Sequence, residues 1–300
     1  MATIALVSAK GAPGVTTTAL ALTLTWPSHV LLAECDPAAG NAILAGYGQH
    51  LTDVSQGLIG LALAERHGQW GEAMLWAQTM QLREGKHLLP GLAESAQAAS
   101  INPLWSRLAS TFTSLERGGV DVVIDAGRLS AVHSPMPLLR QADVVLLVTR
   151  SNLPAISAAR AHLNALRTDL AERGTGADGL GLLLVGEGQP YSAREIATSL
   201  QAPVLASLAW DPLAADVYTY GATAHRRHDN SAFLRSVRAS HDPIGQLLNR
   251  RAGQLRAPHP TPGGTPPAAP AATSAAATPR LRAGGRPVTI SHTTAENARA

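Results

Sequence analysis

Cysteine is almost missing: Cys35 is the only one in 300 residues. A lone thiol closes no disulfide within the chain. It also rules out a four-cysteine zinc site or a cysteine-held iron–sulfur cluster built by one chain. Lysine is almost missing too. Lys10 and Lys86 are the only two among 24 basic residues, and the rest are arginine. Arginine is the default cation here, so the position of a lysine carries information. No apolar stretch approaches the roughly eighteen residues of a membrane-spanning helix. The opening MATIALVSAKGAPGV is a short apolar run met at once by a lysine and two glycines. It reads as a buried strand rather than a signal peptide, and a cytoplasmic protein is expected. No internal repeat is evident.

What is present is unevenly spread. The formal net charge is +3, yet residues 251–300 hold six arginines and one glutamate. The first 250 residues are therefore slightly acidic, and the basic character belongs to the tail. From about residue 252 the chain is rich in Pro, Ala, Thr and Gly with almost no large apolar side chains. Such a stretch buries too little surface to offset its ordering entropy. One domain over 1–250, followed by a disordered tail over 251–300, is expected.

Within the domain, apolar runs of strand length recur at 4–7, 30–33, 87–89, 120–124, 144–148, 180–185 and 204–208. They are continuous rather than alternating, as in strands buried on both faces. Helical patterns at 16–24, 156–170 and 193–200 lie between them. The alternation predicts an α/β fold, a mostly parallel sheet with helices on both faces. Trp70, Trp76 and Trp105 fall in segments read as helical and are expected in the core.

The loop after the first strand reads Ala9-Lys10-Gly11-Ala12-Pro13-Gly14-Val15-Thr16-Thr17. It opens the first helix, where unpaired amides and the helix dipole favour an anion. Glycines let the backbone approach a ligand closely. A threonine hydroxyl at the helix start is placed to reach Mg²⁺. The ordinary pattern G-x-x-x-x-G-K-[ST] is not met: Ala9 stands at its first glycine and Val15 at its lysine. Pro13 lacks an N–H that could meet a phosphate. A tight strand-to-helix turn would use the same glycines.

The loop resembles the variant K-G-G-x-G-K-T-T of the MinD/ParA family of P-loop ATPases, with Lys10, Gly11, Gly14, Thr16 and Thr17 matching. Ala12 replaces the second glycine and Val15 the ordinary lysine. Leu31-Leu32-Ala33-Glu34-Cys35-Asp36-Pro37 resembles the family's D-x-D-P motif. Val120-Asp121-Val122-Val123-Ile124-Asp125-Ala126-Gly127 resembles Walker B. Ala142-Asp143, Leu153-Pro154 and Ala209-Trp210-Asp211-Pro212 follow in the family's order. The resemblance runs from about residue 3 to about 240, and its order and spacing carry it.

The resemblance implies a P-loop NTPase-like fold and a site for ATP and Mg²⁺. Lys10 through Thr17 would hold the nucleotide, with Thr16 and Asp125 at the metal. Asp36 would orient the attacking water, and Lys10 would reach the phosphates of a partner subunit in a nucleotide-dependent homodimer. It further implies a positioning or partition role, with a protein partner in a partition, septum-site or pilus/secretion system. TadZ/CpaE-like pilus localisation proteins fall within the resemblance. A nonspecific DNA or membrane surface would be the matrix. The asparagine that reads adenine in the family has no counterpart in Val185-Gly186-Glu187-Gly188. Enzymes that resemble dethiobiotin synthetase keep the ordinary lysine, and the nitrogenase iron protein needs two ligand cysteines per subunit. Val15 and the lone Cys35 count against both. A pseudo-ATPase adaptor acting only through protein contacts is the alternative.

The other candidates have plainer readings. Cys35 reads as inert filler, and His225 and His228 as part of a solvated basic turn. The stretch 231–251 reads as a last helix docked on the sheet; a short membrane-binding amphipathic helix would share its pattern.

A lysine–phosphate contact is worth about 1.5–3 kcal/mol. Its loss at Val15 weakens nucleotide binding about ten- to a hundredfold. Catalysis suffers more, because phosphoryl transfer depends on positive charge at the transition state. The wild-type protein is expected to hydrolyse ATP slowly or not at all. Steady turnover at the rate of ordinary P-loop ATPases would contradict this.

Overall fold

The computed structural model describes residues 2–10, 13–38, 40–49 and 56–256. Gly11 and Ala12 of the loop, and the expected tail from residue 257 onward, lie outside the described residues. In chain order the elements are β1 (Thr3–Ser8), α1 (Val15–Thr25), β2 (Val30–Glu34), α2 (Ala42–Ala45), α3 (Leu58–Arg66), α4 (Glu72–Ala77), β3 (Met80–Arg83) and β4 (Lys86–Leu89). Then come α5 (Ala98–Ile101), α6 (Trp105–Leu115), β5 (Asp121–Arg128), α7 (Met136–Gln141), β6 (Val144–Arg150) and α8 (Leu153–Arg173). The last are β7 (Leu180–Val185), α9 (Ala193–Leu200), β8 (Val204–Leu208), α10 (Pro212–Thr219) and α11 (Ala232–Arg256).

The strands form one sheet in the order β3-β4-β2-β5-β1-β6-β7-β8. Every neighbouring pair is parallel except β3 and β4. The continuous apolar runs are explained by burial on both sides. Ala5, Val7, Leu31 and Ala33 face one apolar layer, shared with α3 to α9. Ile4, Leu6, Val30 and Leu32 face the other, shared with α1, α2, α10 and α11. The expected strands all form. β3 was not expected: its four residues alternate buried and exposed at the sheet edge, so no apolar run marks it.

Helix starts follow their side chains. The Asn152 side chain accepts from Ala155 N at α8 (3.1 Å). Ser192 and Glu195 form a capping box at α9, and Asp211 accepts from Ala214 N at α10 (3.2 Å). Each satisfies amides that a helix start leaves unpaired. Trp76 and Trp105 lie in α4 and α6 as expected. Trp70 does not: it sits between α3 and α4, its indole donating to Thr111 Oγ1 at 3.2 Å.

α11 is the docked last helix. Phe233, Leu234, Val237, Ile244 and Leu247 are buried against the α1 side of the sheet, so the apolar stripe is used internally. The helix also runs six residues past the boundary expected at 250. Arg251 explains this: it is 4% exposed, donates to Thr175 O at 2.9 Å and lies 3.5 Å from Asp178. Gly179 makes the room, since a Cβ there would meet the guanidinium at 1.7 Å.

The second lysine also has a structural task. Lys86 Nζ donates to the carbonyls of Trp26 (2.6 Å) and Ser28 (2.5 Å). Those same residues donate to buried Asp121: Trp26 Nε1 at 2.8 Å and Ser28 Oγ at 2.5 Å, joined by Ala2 N at 2.7 Å. The cluster ties the α1–β2 turn to the start of β5. Asp121→Ala leaves these buried donors without an acceptor, at a cost of about 1–3 kcal/mol for each one stranded. The variant is expected to lose about 3 kcal/mol or more in urea unfolding, with Asp121→Asn recovering part of it. A loss below about 1 kcal/mol would show that the cluster does not hold the turn.

Candidate functional site

The chain leaves β1 towards β2, and later crosses from β5 to β6 on the far side of β1. That reversal is a topological switch point, where parallel sheets open a crevice beyond the carboxyl ends of their strands. The loop after β1 lies there. Gly14 adopts φ 95°, a left-handed conformation that glycine takes without penalty. No side chain caps α1, and no acidic residue occupies its first turn. Its leading amides have no side-chain cap, and the helix dipole there favours an anion.

Thr16 extends its hydroxyl to Asp125 Oδ2 at 2.5 Å. Asp125 has no exposed surface and also accepts from Gly127 N at 3.0 Å. Burial pushes its carboxyl up to about 6. Glu34 is opposite Asp125 in the register and accepts from Ile43 N (3.4 Å) and Gly91 N (3.3 Å). Burial, then the charge of Asp125, raises it to about 7. Asp36 is half-buried, accepts from Ala38 N at 2.8 Å, and packs its carboxyl on the backbone of Gly127. Three carboxylates therefore converge on this edge.

Val15 is 7% exposed and belongs to the apolar layer under α1. The side chain at the ordinary lysine position is thus packed in the core. Lys10 is exposed and makes no hydrogen bond or ion pair among the described residues. Thr17 Oγ1 meets Thr219 Oγ1 at 2.9 Å, joining α1 to α10. Pro13, Gly14 and Thr17 line a cavity of about 290 Å³ completed by Val185, Trp210 and Tyr220. Trp210, Thr219 and Tyr220 carried no chemical signal in the sequence, because their place beside the loop depends on the return of α10 to α1.

The oxygen donors fit a hard cation. A hydroxyl and a carboxylate in contact at a helix start suit Mg²⁺, which completes its shell with water and phosphate oxygens. Among the described residues no group of three or more His, Cys, Asp or Glu is placed to hold a metal alone. Cys35 is fully buried, and burial pushes its thiol up, in keeping with an inert role. The turn at 225–228 is only partly solvated. His225 is exposed, whereas His228 is buried with Nε2 3.2 Å from the Tyr218 hydroxyl.

A strand, a glycine-containing loop and an uncapped helix facing an acidic strand end define a P-loop type of α/β fold. Comparison with solved structures narrows this to the fold of the MinD/ParA-family ATPases. The septum site-determining protein MinD from Pyrococcus horikoshii, complexed with Mg-ADP, superposes with TM-score 0.65 at 19% identity, over 83% of this chain and 98% of that one. The cell division ATPase MinD of Pyrococcus furiosus gives 0.64 at 19% identity, over 82% and 99%. A ParA family ATPase from Chlorobium tepidum gives 0.62 at 17%, over 82% and 97%. No family model matches the chain, and no curated protein matches it.

Gly127 is the tightest joint of the site. It has φ 64°, and a Cβ there would lie 2.2 Å from the Asp36 carboxyl carbon. Gly127→Ala is expected to cost about 1–3 kcal/mol in thermal unfolding. In an Asp36→Ala background the cost should shrink, because the carboxyl that the new methyl meets is gone. Equal costs in both backgrounds would refute the contact.

Proposed function

We propose that this chain is a nucleotide-gated positioning factor of the MinD/ParA kind. It binds ATP with Mg²⁺ weakly, dimerises around it, and hydrolyses it slowly or not at all. The observation that carries this reading is the bond between Thr16 and Asp125 at the uncapped start of α1. A structural turn has no need of a buried carboxylate aimed at the helix start. In the solved relatives, MinD from Pyrococcus horikoshii is complexed with Mg-ADP. McdA(D38A) from Cyanothece, at TM-score 0.59 and 14% identity, is complexed with ATP.

The first-turn amides of α1 meet the phosphates. Thr16 Oγ1 and Asp125 hold the cation, which supplies neutralisation of phosphate charge when bound. Asp36, fixed by Ala38 N, orients a water. Lys10, exposed at the loop start, reaches the phosphates of a second subunit. The dimer then acts in the cytoplasm on a protein partner of a partition, septum-site or pilus/secretion assembly, with a DNA or membrane surface as matrix. The burial of Val15 favours one other reading, a pseudo-ATPase adaptor that keeps the fold and acts only through protein contacts.

Calorimetry and sedimentation with ATP and Mg²⁺ separate the two. The wild type is expected to bind and dimerise. Lys10→Ala should keep binding but lose dimerisation. Thr16→Val should weaken binding about tenfold in Mg²⁺ and far less in EDTA. No binding at millimolar ATP would favour the adaptor.

A further inference from the structure

The cavity beside the α1 start, taken with the nucleotide reading on which this inference rests, has Trp210 in its wall. Arg150 and Val185 are register partners on β6 and β7. Leu208 on β8 pairs with the same Val185, and Trp210 follows two residues later. Alternation along β6 puts Arg150 on the face of Val144, Leu146 and Val148, which is the α1 side. There its guanidinium lies 3.6 Å from the centre of the Trp210 ring. A cation on one ring face fixes the orientation of the indole. Trp210 stays 47% exposed and is part of the cavity wall.

Arg150 is engaged with the ring itself, and the polar side chains that line the cavity do not discriminate between bases. Among the described residues the wall contains no Asn, Gln, Lys or Arg. Asp211 is occupied in capping α10, and the Thr17 and Thr219 hydroxyls bond each other. The Asp216 carboxylate, the second oxygen of Asp211 and the hydroxyls of Thr18 and Tyr220 remain. Carboxylates accept and hydroxyls donate or accept, and either purine offers both an N–H and a ring nitrogen. Gly186 has φ 74°, and a Cβ there would sit 3.3 Å from Trp210 Cβ and 3.2 Å from Gln189 Oε1. A base-reading side chain at 186 would be strained and crowded by the tryptophan.

We propose that Trp210 is a base-stacking platform that makes the site tolerant of base identity, so that adenine and guanine nucleotides bind about equally. Stacking serves any base, because each has a π-face. It also gives back at the base end some of the affinity that the site lacks at Val15.

The test is calorimetry of the full chain with ATP and with GTP, each with Mg²⁺. In the wild type the two Kd values should agree within about tenfold, and Trp210→Ala should weaken both by about tenfold or more. Trp210→Phe, which keeps an aromatic face, should stay within about threefold of wild type. Unchanged melting temperatures exclude unfolding as the cause. A preference for one purine beyond about tenfold, or Kd values indifferent to Trp210→Ala, overturns the platform while leaving the nucleotide reading intact. If the wild type binds neither nucleotide, both fall.

Discussion

Asp125 is a carboxylate without exposed surface in the centre of the sheet, and the arrangement of the carboxyl edge follows from satisfying it. An ionised group taken out of water costs several kcal/mol unless its oxygens are bonded. Here one oxygen takes the Thr16 hydroxyl and the other the Gly127 amide. The first bond sets the start of α1. The second sets the turn after β5, on whose glycine the Asp36 carboxyl rests. The backbone carbonyl of Asp125 accepts from Cys35 N at 2.8 Å, which fixes the end of β2. Two strand ends and one helix start are thus joined through a single residue.

The charge balance of that edge is unusual for the phosphate-binding role proposed for it. Glu34, Asp36 and Asp125 converge, Val15 is packed in the core, and Lys10 points into solvent. A phosphate arriving here would meet amide dipoles and carboxylates but no cationic side chain from α1. Dipoles alone are a modest attraction, so the affinity of such a site depends on a divalent ion and on contacts remote from the phosphates. The raised carboxyls of Glu34 and Asp125 have the same origin, burial with no cation close by.

Much of this was legible in the sequence. Continuous apolar runs marked the strands buried on both faces, and the order of the loop, Asp36 and Asp125 marked the edge where they meet. The geometry brings Thr16 and Asp125, two residues singled out in the sequence, into hydrogen-bond contact. What escaped was whatever depends on long-range return of the chain. β3 alternates at an edge and has no apolar run to betray it. Arg251 looked like the first residue of a tail, because its partners Thr175 and Asp178 are more than seventy positions away. Trp210 stood in a matching motif with no role attached, since only the fold brings α10 beside α1. Lys86 stands out in the sequence only by its rarity, and its partners Trp26 and Ser28 come within reach only through the β2–β4 pairing.

Cys35 gains a meaning that its chemistry alone does not give. It is the one thiol of the chain, has no exposed surface, and its amide is tied to the end of β5. A folded molecule therefore shields it from alkylating reagents, and modification has to wait until β2 parts from β5. The rate at which a thiol reagent consumes this protein becomes a clock for the opening of its central strands, with no label added and no residue changed.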